Sequence, residues 1–311
     1  MPLYEIADKK LLPVLQSKFL KEREIQRLLE ANLGTVFGCQ LIASEFSTGQ
    51  VHAGRIDTLA LSEDGNPVII EYKNVESSEL ITQSLYYLAW LQDHKGDFEA
   101  AARKAIDKNV AIDWSAIRVI CIAPNYRKFD VHAAQVMGKK IELWTFRLFK
   151  NKTIQFEEIV QQNLAAPSEA AGSGKNPVMV EAGKKAAITK ATGSYTVDEH
   201  LVGKSAALQE LAIAIEEFIV DLDPSIEVAP KKLYIAFKIA KNIACMEVQS
   251  KKILLFLKLD PKKDRGPLKI SRDVTSIGHF GTGDLEITLT SLEDLEQAKP
   301  FIEKAYEQIG S

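Results

Sequence analysis

Between Leu20 and Leu33 the apolar residues Ile25, Leu28, Leu29 and Leu33 recur at helical spacing among charged neighbours, which predicts an amphipathic helix ending near Gly34. The period then shortens. Leu41 to Phe46, Arg55 to Leu61 and Val68 to Lys73 are brief runs rich in apolar and β-branched residues, separated by Ser47-Thr48-Gly49 and by Asp64-Gly65-Asn66-Pro67. That pattern predicts a strand meander with compact turns. Ser78 to Gln92 returns to helical spacing through Leu80, Ile81, Leu85, Leu88 and Leu91, with Ser78 as its cap. Arg118 to Ala123 and Ile141 to Phe146 are apolar runs of buried-strand length, and residues 130–137 between them have a helical pattern. The order helix, three strands, helix, strand, helix, strand argues for an α/β layer built on a mixed sheet flanked by helices.

After Gln162 the pattern stops. Residues 162–198 are rich in Ala, Gly, Ser and Lys without a sustained apolar period, as expected of a flexible linker. Helical spacing resumes with Leu208, Leu211, Ile215, Phe218 and Leu222. Strand-like runs follow at Tyr234 to Phe237, Ala244 to Val248, Ile253 to Leu259 and Leu285 to Leu289, and Ser291-Leu-Glu-Asp294 opens a last helix with a capping box. The expected organisation is a domain over 1–161, a linker over 162–198, and a smaller α+β domain over 199–311.

Composition changes this picture little. The 311 residues, 46% hydrophobic and 26% charged, exclude collagen-like, coiled-coil and wholly disordered classes. The net charge of -3 leaves no global basic field, so a nucleic-acid partner would have to be met by a local patch. Arg127-Lys128, Lys139-Lys140 and Arg147 to Lys152, near Tyr126, Phe129, Trp144 and Phe149, are candidates, equally readable as solvated charge. Cys39, Cys121 and Cys245 are widely spaced and odd in number, which suits buried free thiols in a reducing compartment. The five histidines lack ligand spacing, and Gly278 to Asp284, preceding a strand and lacking a lysine, reads as a turn rather than a phosphate loop. With no signal-peptide pattern and no apolar run of membrane-spanning length, a cytoplasmic location away from membranes is expected.

The informative stretch is Gly54-Arg-Ile-Asp57 followed by Glu71-Tyr-Lys73. Strand alternation puts Glu71 and Lys73 on one face and Tyr72 on the other. If the preceding strand pairs antiparallel with this one, Asp57 comes near Glu71, and two carboxylates form a hard oxygen site suited to Mg²⁺ or Mn²⁺. Singly, each residue has an ordinary structural explanation. Together they place charge at the end of a buried strand, where desolvation is costly unless a site compensates.

Asp57, a gap of 13 residues and Glu71-Tyr72-Lys73 resemble the D…(D/E)xK signature of the PD-(D/E)XK nuclease superfamily, with Ile56 in place of the usual proline. Gln83 with Tyr87 on the following helix resembles the QxxxY pattern of RecB-like members, and an acidic helix lies upstream of the strands as in that group. The resemblance implies a restriction-endonuclease-like mixed sheet and metal-dependent hydrolysis of DNA phosphodiester bonds. It implies Asp57 and Glu71 as metal ligands with the Tyr72 carbonyl, Lys73 positioning the attacking water, and Gln83 and Tyr87 supporting the lysine or holding the phosphate backbone. The helix carboxylate would be Glu22, which shares the face of Ile25 and Leu29, in preference to Glu24, which aligns with Leu28. A nuclease-fold scaffold without turnover is the alternative. Residues 233–238 (LYIAFK) and 272–298 resemble an uncharacterised domain found behind nuclease-like domains, which implies substrate binding, homodimerisation or recruitment of a protein partner through 199–311.

Overall fold

A computed structural model describes residues 3–19, 21–76, 79–137, 141–159, 195–267 and 269–309, with 50–51 and 135–137 described by their backbone alone. The chain divides into two compact units, Met1–Ala171 and Gly172–Ser311. The expected linker lies outside the described residues as far as 194, and its last two positions already belong to a helix.

The first unit opens with a hairpin of β1 (Leu3–Ala7) and β2 (Lys10–Val14), which forms its own two-stranded sheet, and a short β3 (Gln16–Ser17). Helix α1 (Glu22–Glu30) is shorter than the periodicity suggests, and α2 (Leu33–Val36) takes up the rest. The break falls at Asn32, whose backbone N–H bonds the Leu29 carbonyl and whose side-chain amide bonds the Leu28 carbonyl. Leu28, expected in the core, is 41% exposed; α1 buries Ile25, Gln26 and Leu29 instead.

Strands β4 (Cys39–Ser47), β5 (Arg55–Ser62) and β6 (Pro67–Tyr72) form the antiparallel meander, with a short helix α3 (Gly49–His52) where a compact turn was expected. Helices α4 (Glu79–Asp93) and α5 (Lys95–Ala105) follow, then β7 (Arg118–Ala123), α6 (Lys128–Met137), β8 (Ile141–Phe149) and β9 (Ile154–Glu158). The sheet runs β3-β8-β7-β6-β5-β4 with β9 on β8. It is parallel from β6 through β7 to β8 and antiparallel elsewhere, so the mixed sheet flanked by helices is the observed fold class. Every residue of β6 is buried, because helices cover both faces of this central strand and make its apolar run continuous. Glu71 is therefore a carboxylate in the middle of a core element.

In the second unit, α7 (Val197–Leu201) and α8 (Ala206–Leu222) precede β10 (Glu227–Pro230), β11 (Ile235–Lys238), β12 (Asn242–Val248), β13 (Ile253–Leu257), β14 (Ser271–Asp273) and β15 (Leu285–Leu289), and α9 (Leu292–Ile309) closes the chain's described part. The sheet is antiparallel in the order β10-β11-β12-β13-β15-β14. Leu211, Ile215 and Ile219 of α8 share a core with Leu295 and Ile302 of α9 and with Phe237, Met246 and Leu255 of the sheet. Helix α9 starts as expected. The Asp294 N–H donates to Ser291 Oγ at 3.2 Å, and the Ser291 N–H donates to Asp294 Oδ2 at 3.2 Å.

Cys39, Cys121 and Cys245 are buried and stand outside any disulfide. The Gly278–Asp284 segment leads directly into β15, and Gly283 in it has a φ of +130°, a conformation other residues rarely adopt. A Cβ there would meet the Leu257 carbonyl oxygen at 2.7 Å and its backbone nitrogen at 2.9 Å, neither of which can yield. Gly283→Ala is expected to destabilise the second unit by about 2 kcal/mol or more, read from urea denaturation of the full chain followed by circular dichroism.

Candidate active site

The β5–β6 register pairs Thr58 with Ile70 and Leu59 with Ile69, which sets Asp57 opposite Glu71 at the point where the ladder ends. There the side chains replace the ladder bonds. The Asp57 N–H donates to Glu71 Oε1 at 3.0 Å, and the Tyr72 N–H donates to Asp57 Oδ2 at 3.1 Å. Each carboxylate is thus fixed by backbone of the opposite strand, and two acids are held close with little freedom to separate.

Burial and proximity then work against ionisation. Glu71 is fully buried, and desolvation, followed by repulsion from Asp57, pushes its carboxyl up to about 9. Burial raises Asp57 to about 6, against the pull of the Tyr72 N–H and of Lys73. Glu71 Oε1 has the Asp57 N–H, but Oε2 is buried with no hydrogen-bond partner. A protein interior rarely leaves such an oxygen unmatched. A cation beside the pair would favour the ionised forms that burial disfavours.

Helix α1 delivers three polar side chains to this end of the sheet at four-residue spacing, the repeat that stacks residues on one helix face. Glu22 Oε1 accepts from Lys73 Nζ at 3.1 Å. Gln26, itself buried, donates to the Asp57 carbonyl at 2.9 Å and to Glu30 Oε1 at 3.1 Å. Glu30 Oε1 also accepts from the Thr58 hydroxyl at 2.7 Å, which lies 3.3 Å from the Tyr72 hydroxyl. Glu24 instead caps its own helix through the Lys21 N–H. Of the two carboxylates weighed from sequence, Glu22 is the one that meets the lysine.

Gln83 and Tyr87 meet each other and the backbone entering β5. Gln83 Nε2 donates to the Tyr87 hydroxyl at 3.2 Å, and the same oxygen accepts the Arg55 N–H at 3.2 Å. Their bonds brace the backbone two residues before Asp57 rather than meeting Lys73. Gly54 is required beside them, since a Cβ there would lie 2.8 Å from the Tyr87 ring. Gln26 and Glu30 were not singled out from sequence, although the four-residue repeat from Glu22 was the available signal. The basic patch is partly neutralised: Arg127 pairs with Glu76 at 2.9 Å and Arg147 with Glu157 at 3.3 Å, while Lys139-Lys140 lie outside the described residues.

Among the described residues no three His, Cys, Asp or Glu side chains converge as a ready metal cage. What converges is a carboxylate pair with an unmatched oxygen and hard donors only. That set fits Mg²⁺ or Mn²⁺, which commonly take one or two protein carboxylates and complete their shell with water and substrate phosphate. No helix of the described residues is long and apolar enough to cross a membrane.

Fold and site together define a two-unit α/β protein with a paired-carboxylate centre at the end of a β-hairpin. The chain belongs to the family of a protein of Haemophilus influenzae (strain ATCC 51907 / DSM 11121 / KW20 / Rd) described as uncharacterized, to which it is 35% identical over 294 residues, 93% of this chain and 94% of that one. Residues 197–309 match the model of a domain of unknown function, DUF5655. Among solved structures, a complex of EndoMS with double-stranded DNA matches at 19% identity and a TM-score of 0.30 over 43% of this chain and 49% of that one. A repair endonuclease from Pyrococcus abyssi matches at 18% identity and a TM-score of 0.23 over 41% of this chain and 47% of that one. The match spans about half the length of each of these two.

Proposed function

We propose that the first unit is a metal-dependent nuclease that hydrolyses phosphodiester bonds in DNA, with the residues of the D…ExK arrangement as its centre. The observation that supports this reading most is the buried Glu71 carboxyl, with its Oε2 unpartnered, beside a second carboxylate, Asp57, at the hairpin end. A buried acid beside a half-buried one is a poor structural device and a good ligand pair. Asp57 and Glu71, with the Tyr72 carbonyl, would hold Mg²⁺ or Mn²⁺, which would supply Lewis acidity toward a phosphoryl oxygen and acidify a water.

The protein's own groups have separate tasks. Lys73, with three donors and a flexible stem, would orient the attacking water or the scissile phosphate. Glu22 would anchor that ammonium and restrict where it reaches. Gln26 fixes the Asp57 carbonyl, and Tyr87 with Gln83 fixes the backbone entering β5, so the strand carrying Asp57 is braced on two sides. The second unit would bind substrate, a second copy or a protein partner, and 1–161 and 199–311 would be separate domains joined by 162–198.

The test is titration with Mn²⁺ by calorimetry, paired with cleavage of supercoiled, linear, branched and single-stranded DNA. Binding in the micromolar to millimolar range and metal-dependent cleavage of at least one substrate are expected. A protein that binds no Mn²⁺ and cuts none of them would turn the reading toward an idle nuclease-fold scaffold.

A further inference from the structure

Strand β4 departs from its ladder beside the carboxylate pair. It pairs Ser44 with Thr58 and Phe46 with Ile56, which sets Glu45 between them, opposite Asp57. Glu45 takes a φ of +56°, the left-handed region that a residue with a side chain occupies only at a cost. The side chain so placed meets Arg55, with Glu45 Oε2 lying 2.5 Å from Arg55 Nε. The Glu45 side chain is 23% exposed and that of Arg55 68%, so the acid is the seated partner and the cation the presented one.

An ion pair with so exposed a partner adds little to stability and does not by itself account for a strained backbone, which clusters at sites of function. Arginine carries five N–H donors in a planar fork, and the contact through Nε uses one of them. Among the described residues no other side chain meets the guanidinium, so both Nη groups are left for a ligand. Such a fork matches the paired oxygens of a phosphate or a carboxylate. Its position selects the phosphate. Arg55 precedes Asp57 by two residues on β5, about 7 Å along the strand, close to the step between successive phosphates of one nucleic-acid strand. The centre itself sets Glu22, Asp57 and Glu71 against Lys73, so a polyanion reaching it needs positive charge at the rim.

We propose that Arg55, held in place by Glu45, clamps the phosphate next to the scissile one on the same DNA strand, and so sets which bond lies over the Asp57–Glu71 centre. This rests on the nuclease reading and deepens it, since it assigns a positioning residue outside the D…ExK arrangement. The clamp acts on bound DNA before any bond changes, so loss of Arg55 weakens binding. Loss of Glu45 removes the tether and leaves the cation, so the strand still binds and is misplaced.

The experiment uses the full chain in EDTA, where no cleavage occurs, with a fluorescein-labelled duplex and one of its strands alone. Anisotropy reads the affinity between about 50 and 200 mM salt. Arg55→Ala is expected to bind about ten-fold more weakly than wild type, and its slope of log affinity against log salt should be shallower by about 0.9 on duplex or about 0.7 on single strand, the worth of one phosphate contact. Arg55→Lys keeps the charge and loses the fork, so it should regain the slope and only part of the affinity. Glu45→Gln should keep the wild-type slope yet slow single-turnover cleavage in Mn²⁺. Thermal midpoints by circular dichroism report that all three fold. On DNA that wild type cuts, an uncharged methylphosphonate in place of one phosphate beside the cut should slow wild type and leave Arg55→Ala no slower than before. A wild-type slope in Arg55→Ala, a shallower slope shared by Arg55→Lys, or equal sensitivity of wild type and Arg55→Ala to every methylphosphonate would overturn the proposal. Cleavage by wild type without that dependence on Arg55 would leave the nuclease reading standing alone. The Arg55 contact without Mn²⁺ binding would leave the clamp standing and remove the metal centre.

Discussion

Asp57→Ala and Lys73→Ala, purified beside the wild type, are each expected to lower the DNA cleavage rate by about a thousand-fold or more, because each removes a group acting on developing charge in a desolvated site. The two should differ in how they fail. Asp57 carries one of the two carboxylates and an oxygen that accepts the Tyr72 N–H, so its removal should weaken Mn²⁺ binding as well as rate. Lys73 is bonded to Glu22 rather than to either acid of the pair, so Lys73→Ala should bind Mn²⁺ as wild type does and lose turnover alone. Glu22→Gln keeps the hydrogen-bond acceptor and loses the charge, and a loss of about ten-fold is expected, consistent with one screened ion pair. Single-turnover cleavage with saturating Mn²⁺ measures all three. Wild-type rates in both Asp57→Ala and Lys73→Ala would remove the centre from any part in the chemistry.

Much of this centre was legible because strand geometry is short-ranged. Once β5 and β6 are paired by the Asp64-Gly65-Asn66-Pro67 turn, side-chain alternation fixes which of Asp57, Glu71, Tyr72 and Lys73 share a face. That Glu22 rather than Glu24 lies against Lys73 was legible for a similar reason, from the faces of Ile25 and Leu29. The contacts of Gln83 and Tyr87 with the backbone at Arg55 were not, since periodicity tells which helix face a residue occupies and not which of several backbone groups it meets. Helix α5 was missed because it buries only Phe98 and Ala102, too sparse a stripe to register as a period. The β1–β2 hairpin was missed for the opposite reason: Tyr4, Ile6 and Leu11 are exposed, so no burial pattern disciplines its alternation.

Without divalent metal, the wild type is expected to lose stability as pH rises, and Glu71→Gln to remove most of that loss. The carboxyl of Glu71 sits at about 9 against an ordinary 4.5, and that of Asp57 at about 6 against 3.8. Below about pH 4 both groups are protonated in the folded and unfolded chains alike, so neither penalises folding. Above it the unfolded chain releases its protons while the folded chain must retain them or ionise buried groups, so stability falls, through Asp57 up to about pH 6 and through Glu71 up to about pH 9. Urea denaturation in EDTA should therefore show a decline of at least about 2 kcal/mol from about pH 5 to about pH 8.5, at roughly 1.4 kcal/mol for each unit over which one proton is retained. Glutamine at 71 keeps an oxygen for the Asp57 N–H and cannot ionise, so the variant should be more stable than wild type at the alkaline end and show a shallower slope. Mn²⁺ should act in the reverse sense on wild type, stabilising it more as pH rises, because a cation binds the ionised pair and must displace its protons. The same additions should leave Glu71→Gln nearly unmoved. A wild-type slope that Glu71→Gln reproduces, or one that Mn²⁺ does not flatten, would mean the pair is an ordinary buried acid cluster whose strain serves no cation.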